Sequence, residues 1–264
     1  MKPPSTLPLY VVNAFTSQAF HGNPAAVCPL EQWLSDDLMQ AIAAQNNLSE
    51  TAFLVPEGPN WRLRWFTPRL EVALCGHATL ASAFVLARRH PRSHEFHFHT
   101  QSGELTVTRE NDHYTLNFPT RPLSPLPECA ELEAALGHPV QTLTQAGPKH
   151  AIAELENESA LRACHPDFSA LKTLPWSGIA ITARGDSCDF VSRYFAPKAG
   201  IDEDPVTGSA HCGLTPYWAQ RLGKTRLKAQ QLSERGGELL CELRGDRVLM
   251  TGGAVLYSEG MIYL

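Results

Sequence analysis

Arg64-Trp65-Phe66-Thr67-Pro68 runs on to Cys75-Gly76-His77-Ala78-Thr79, and Arg193-Tyr194-Phe195-Ala196-Pro197 runs on to Asp204-Pro205-Val206-Thr207-Gly208-Ser209-Ala210. The two arginines are 193 − 64 = 129 residues apart, about half of a 264-residue chain. Gly103-Glu104-Leu105 recurs as Gly237-Glu238-Leu239 at a similar offset, 237 − 103 = 134. Matching offsets near half the length predict two homologous lobes. The echoes differ in chemistry, with Cys and His in the first and Asp and Ser in the second. Similar lobes with unlike polar groups are a natural way to build an asymmetric cleft between them.

The proline-rich stretch Thr120 to Pro127 is the predicted linker, which divides the chain into a lobe of residues 1–119 and a lobe of residues 120–264. The last residues are free to cross back to the first lobe. Around the echoes the patterning is mostly strand. Leu9 to Phe15, Ala25 to Val27, Thr51 to Val55, Trp61 to Phe66, Glu95 to Thr100, Leu105 to Arg109 and Tyr114 to Phe118 alternate as strands do. The second half follows with Ile179 to Thr182, Phe190 to Phe195, Leu227 to Leu232, Glu238 to Leu243 and Arg247 to Met250. Ser35 suits the N-cap of a helix whose buried stripe is Leu34, Leu38 and Ile42, and Ala130 to Leu136 also reads as helical. Gly76 to Arg88 has almost no polar face before its two arginines, and a helix apolar all round is a buried one. Ser209 to Leu222 is its counterpart, with Pro216 implying a kink or a late start. Each half is therefore strands plus a buried helix. The class is α+β, with a sheet wrapped around a central helix in each lobe, not a βαβ alternation.

Composition narrows the function. A formal net charge of −5 with scattered basic residues argues against nucleic acid as a partner. No apolar run is long enough to cross a bilayer. Met1-Lys2-Pro3-Pro4 leads straight into strand-like Leu9-Tyr10-Val11-Val12, without the apolar core of a signal peptide. Seven cysteines without framework spacing read as free thiols in a reducing cytoplasm. His97 and His99 share a strand face, but two ligands without a third make a poor metal site, so no metal is expected.

Both central helices begin in a small, glycine-containing segment. Helix starts offer unpaired N–H groups and positive partial charge, so two of them facing one cleft would bind a carboxylate. Simple capping by Thr207 or Ser209 is the alternative for either helix alone. Glu50, at a helix-to-strand junction, is placed to reach a cleft and work as a proton carrier with a raised pKa; on spacing alone it is a surface glutamate. The dipole of its helix should lower the pKa of His77, leaving a neutral relay or a buried core histidine. Asp204 closes an acidic run that is most often a solvated loop or a helix-start preference. Cys75 has no thiol partner in the second echo, since Cys212 is out of register, so a two-thiol racemase is disfavoured.

Five segments in order resemble the phenazine-biosynthesis (PhzF-like) isomerase family: Gly22-Asn23-Pro24-Ala25-Ala26-Val27, Asn47-Leu48-Ser49-Glu50-Thr51-Ala52-Phe53, and the Arg64, Cys75 and Asp204 stretches quoted above. The resemblance covers almost the whole chain. It implies the diaminopimelate-epimerase fold, two pseudo-symmetric lobes each with a barrel-like, mostly antiparallel sheet around a central helix. It also implies roles: Glu50, His77 and Asp204 as catalytic groups, and Gly76, Gly208 and Ser209 as the substrate-binding positions. The founding enzyme isomerises a dihydro-hydroxyanthranilate by moving a proton without a cofactor. The expected function is thus a cofactor-independent isomerase of a small carboxylate, in a cytoplasmic homodimer. The alternatives are an amino-acid racemase or epimerase of the same fold, with Asp204 as second base, and a non-catalytic small-molecule-binding protein. A metal hydrolase is more distant.

Overall fold

The computed structural model describes residues 6–264, so the Met1-to-Pro4 lead-in lies outside the described residues. The chain forms two compact units. The first runs up to Asn117 and regains Thr251–Leu264; the second is Phe118–Met250. The first contains β1 (Thr6–Ala14), β2 (Asn23–Pro29), α1 (Asp36–Asn46), β3 (Glu50–Glu57), β4 (Asn60–Phe66), β5 (Glu71–Val72), α2 (Gly76–Arg89), β6 (Glu95–Thr100), β7 (Gly103–Glu110) and β8 (His113–Pro119). The second contains β9 (Leu123–Leu126), α3 (Ala130–Leu136), β10 (Thr142–Ala146), β11 (His150–Glu154), α4 (Glu158–Ala163), α5 (Phe168–Leu171), β12 (Gly178–Arg184), β13 (Phe190–Ala196), β14 (Ile201–Asp204), α6 (Gly208–Leu222), β15 (Arg226–Gln231) and β16 (Gly237–Arg244). The long β17 (Arg247–Tyr263) begins in the second unit and ends in the first.

In the first unit, β1 pairs antiparallel with β2, β2 parallel with β3, and β3 antiparallel with β4. β4 then pairs parallel with β6, and β6–β7–β8 is an antiparallel meander. The end of β17 pairs with β8 and, antiparallel, with β1, which closes an eight-stranded barrel of β1, β2, β3, β4, β6, β7, β8 and β17. Closure removes the open edges that a sheet must otherwise protect. The second unit repeats the pairing sequence: β10–β11 antiparallel, β11–β12 parallel, β12–β13 antiparallel, β13–β15 parallel, β15–β16 antiparallel. The repeat in the sequence is therefore a repeat of strand order and sense.

α2 is buried from Gly76 to Ala83 and at Val85–Ala87, packing on β1, β2, β3 and β7. α6 is buried from Ala210 to Thr215 and packs on β15 and β16. Both match the expected central helices. The two echo arginines explain why the echo exists. Arg64 Nε and Nη2 donate to Glu71 at 2.8 and 2.7 Å, with the guanidinium 5.1 Å from the Phe66 ring. Arg193 does the same to Glu203 at 2.8 and 2.9 Å, 5.2 Å from Phe195. Each glutamate lies five residues before its helix's first glycine (76 − 71 = 208 − 203 = 5). These bidentate pairs tie the strand to the segment that delivers the helix start.

Several expectations change. α6 is helical from Gly208 through Pro216, so it does not start late. Pro216 cannot donate to the Cys212 carbonyl, and that carbonyl accepts instead from the Arg121 backbone N–H at 2.9 Å, so its hydrogen bond is kept. The stretch read as a linker contains β9, paired with β10; a proline is tolerated in such a strand where its missing N–H faces away from the partner. The acidic run Ile201–Asp204 is a short strand against β13. On α1 the buried residues are Met39, Ile42 and Ala43, with Leu34 and Leu38 only partly covered.

Buried histidine supplies a test. His211 in α6 is completely buried, with Nδ1 2.9 Å from the Thr207 carbonyl. Burial pushes its pKa from 6.5 down to about 4, against the smaller opposing effect of that carbonyl. The unfolded chain therefore takes up a proton at this residue near its ordinary pKa, while the native chain refuses it until about pH 4. Stability is complete above that window and falls as pH drops through it, by on the order of 3 kcal/mol from this group. Denaturant unfolding near both ends of the window, compared between the protein and His211→Gln, checks it. The same acid dependence in both proteins would show that His211 carries none of it.

Candidate active site

Parallel pairing brings the starts of β2 and β3 to the same end of the first barrel, with Ala25 opposite Glu50. Asn23 opens β2 and Glu50 opens β3. α2 packs along both strands, and His77 lies in its first turn. Glu50 is delivered by a sharp exit from α1: Asn47 takes a left-handed conformation at φ 50°, and Asn46 Nδ2 donates to Thr51 Oγ1 at 3.1 Å. The side chains then meet. His77 Nε2 lies 3.0 Å from Glu50 Oε2. Asn23 Nδ2 lies 3.2 Å from His77 Nδ1, and Cys75 Sγ lies 3.6 Å from the same nitrogen. Asn23, His77 and Cys75 are buried, whereas the Glu50 side chain keeps 12% of its exposure. Of these four, Glu50 is the group an incoming molecule can reach.

The electrostatics correct one expectation. Burial opposes a charge on His77, but the acidic groups of Cys75 and Glu50 beside it prevail, and its pKa lies well above the ordinary 6.5. Burial also pushes the Cys75 thiol up to about 11. The thiol is therefore neutral near pH 7. The expected lowering by the helix dipole is outweighed by the Cys75 and Glu50 groups beside the ring. The Glu50–His77 contact is not aligned as a hydrogen bond, and Oε2 and Nε2 have no other hydrogen-bond partner among the described residues. Both atoms keep bonding capacity in a site from which water is largely excluded.

Gly22 fixes the entry to this group. Its φ is +71°, and a Cβ there would run into the Ala14 carbonyl and lie 2.7 Å from Thr16 Cγ2. Gly22→Ala is expected to destabilise the first unit by roughly 1–3 kcal/mol, from left-handed strain plus the clash. Urea unfolding checks this; a midpoint unchanged from the parent would mean the turn relaxes freely.

Asp204, Gly208 and Ser209 gather separately in the second unit. Asp204 ends β14, and Gly208 and Ser209 open α6. Thr207 Oγ1 donates to Asp204 Oδ2 at 2.5 Å, so the Thr207 hydroxyl does not cap its own helix. Gln231, at the end of β15, clamps the turn: Nε2 donates to the Asp204 backbone carbonyl at 2.7 Å, and Oε1 accepts from the Thr207 N–H at 2.8 Å.

A sequence profile described as phenazine biosynthesis-like protein (PhzC-PhzF) matches residues 12–260. The chain belongs to the PhzF family. An uncharacterized isomerase of Pseudomonas aeruginosa is 55% identical over 98% of this chain and 99% of its own length. A solved PhzF-family protein of Enterococcus faecalis is 49% identical over 98% of this chain and 100% of its own, with a TM-score of 0.94. The hydroxyproline epimerase of Agrobacterium vitis, solved with trans-4-hydroxy-L-proline, is 11% identical with a TM-score of 0.65, a likeness of fold alone. Membership of this family agrees with the repeated strand order and with the isomerase names of the chain's relatives.

Ligand-type atoms of Glu50, Cys75 and His77 lie within 4.8 Å of one another. The two ring nitrogens of His77 already face other partners, Asn23 at Nδ1 and Glu50 at Nε2. His97 and His99 face Glu104 and Glu57 on the exposed barrel surface. Hollows of about 550 and 440 Å³ lie beside β10 and beside the start of β1, and none of the six expected site residues lines them. Among the described residues, no helix is long and apolar enough to cross a membrane. Sequence reasoning missed two residues. Asn23 stands in the Gly22-to-Val27 motif, where the sequence assigns it no role. Gln231 carries no local signal, because it meets Asp204 across 27 residues.

Proposed function

We propose that this chain is a cofactor-independent isomerase that moves a proton on a small carboxylated metabolite. The observation that carries the reading is the Glu50–His77 pair, at 3.0 Å, with the Glu50 side chain 12% exposed and His77 buried. Glu50 accepts a proton from an activated C–H of the substrate: that bond breaks, its electron pair enters the substrate's conjugated system, and a carboxyl O–H forms. Returning the proton at another carbon completes an isomerisation without change of oxidation state. His77 stabilises the charge on Glu50 and relays protons. Asp204 meets the substrate's polar groups, and Gly76, Gly208 and Ser209, at helix starts, present N–H groups to its carboxylate. The family membership and the isomerase names of its relatives support this assignment.

A second reading, an amino-acid racemase or epimerase, draws on the fold shared with the hydroxyproline epimerase. It needs a second base opposite Glu50, and Asp204 is the candidate. Proton NMR in deuterated water separates the readings. The protein is incubated with dihydro-hydroxyanthranilate and with a panel of amino and hydroxy acids. Isomerisation or deuterium uptake in an unsaturated carboxylate supports the isomerase. Exchange of the α-hydrogen of a free amino acid supports the racemase. No change in any compound would overturn both in favour of a binding role.

A further inference from the structure

We propose that Asn23 is a positioning residue that decides which nitrogen of His77 carries the proton, and so which form Glu50 rests in. The consequence for turnover rests on the isomerase reading; the tautomer itself does not. A side-chain amide nitrogen is a donor and has no lone pair to offer. Asn23 turns that nitrogen to His77 Nδ1 at 3.2 Å, with both side chains buried. Cys75 Sγ stands 3.6 Å from the same Nδ1, and its thiol, protonated near neutral pH, is a second donor. In the neutral ring, the amide N–H facing Nδ1 favours that nitrogen bare, and the thiol can donate to it as well. Neutral His77 then holds its hydrogen on Nε2, facing Glu50 Oε2.

The direction matters chemically. An N–H turned to the carboxylate stabilises its charged form, so Glu50 rests as a base ready to take a proton. The opposite tautomer would set a lone pair against the carboxylate, and repulsion would be relieved by protonating Glu50. Asn23 also opposes a second proton on His77, since that proton must go to Nδ1 against the amide. It therefore works against the upward pull of Glu50 on the imidazole and keeps the neutral relay accessible. The residue is well placed for this: it is the first residue of β2, held behind the obligate left-handed Gly22.

The test is tautomer-resolved NMR. The full chain is labelled with nitrogen-15 histidine, and long-range proton–nitrogen correlations are recorded through a titration that carries His77 to its neutral form. Loss of its signals in His77→Gln assigns it among the eleven histidines. The expected result is Nε2–H with bare Nδ1. In Asn23→Asp the carboxylate accepts from Nδ1, so the neutral form should switch to Nδ1–H and the titration midpoint should rise. Turnover in the exchange assay should fall about 10- to 100-fold, mainly in kcat. A neutral parent protein carrying Nδ1–H overturns the proposal, as does an Asn23→Asp variant that folds and keeps the parent's tautomer. If that variant does not fold, the parent spectrum still decides. The expected tautomer in a protein that turns over no compound would support the positioning role and overturn the isomerase reading.

Discussion

Glu50→Gln is expected to lower turnover by about 10²- to 10⁴-fold, the usual contribution of a positioned general acid or base. Glutamine keeps the size of the side chain, and its amide can still face His77. What it loses is the ability to hold a proton. The loss should therefore appear in kcat with KM little changed, because removing an interaction made only in the transition state leaves ground-state binding intact. A second consequence follows from the pair. Without the carboxylate at 3.0 Å, burial dominates the environment of His77, and its pKa should fall from its raised position. Steady-state kinetics on any compound found active in the exchange assay, together with the imidazole titration, measures both effects. A variant retaining more than about a tenth of parental kcat would remove Glu50 from the role of proton carrier.

Arg193→Ala should be the most destabilising of the charge deletions, costing about 3 kcal/mol or more. Its guanidinium is bonded on every edge. Nε and Nη2 hold Glu203, and Nη1 donates to the carbonyls of Leu161 and Cys164 at 3.2 and 2.6 Å. Side-chain exposure is 12% for Arg193 and 21% for Glu203. Deletion leaves a largely buried carboxylate without its counter-ion and removes the donor from two carbonyls. Arg64→Ala removes the equivalent group of the first unit, yet it should cost less. There the third partner is Asp36, 73% exposed, and water can replace much of what is lost. Chemical unfolding of both variants tests the ordering. Equal midpoints would mean that the carbonyl contacts of Arg193 add nothing. Arg193→Met combined with Glu203→Leu should recover part of the loss, because an apolar pair leaves no charge stranded.

Much of this architecture is legible in the sequence. The Arg64 and Arg193 segments recur because each unit needs the same clamp on the chain that leads to its central helix. The apolar run from Ala78 to Ala87 was readable because a helix enclosed by a barrel has no face for polar residues. Where reading failed, the cause was a partner remote in sequence. Pro216 reads as a kink or a late start of α6, and nothing near it signals that the Arg121 N–H donates to the Cys212 carbonyl it leaves unpaired. The linker looked like a linker because its prolines are local, whereas the strand that pairs β9 begins at Thr142.

The sequence by itself determined the repeat, the class of fold, the two buried helices and the residue types at the helix starts. These are written in local periodicity and in repeated motifs, which need no knowledge of what lies opposite. Tertiary structure alone decided who faces whom. Asn23 and His77 are 54 residues apart and meet because β2 and β3 run parallel, with α2 laid against them. The direction of the His77 pKa was settled in the same way: burial and a helix start both argue for a lower value, and the Cys75 and Glu50 groups beside the ring reverse the outcome. A charge so close acts more strongly than any local preference, and only the folded chain can bring it there.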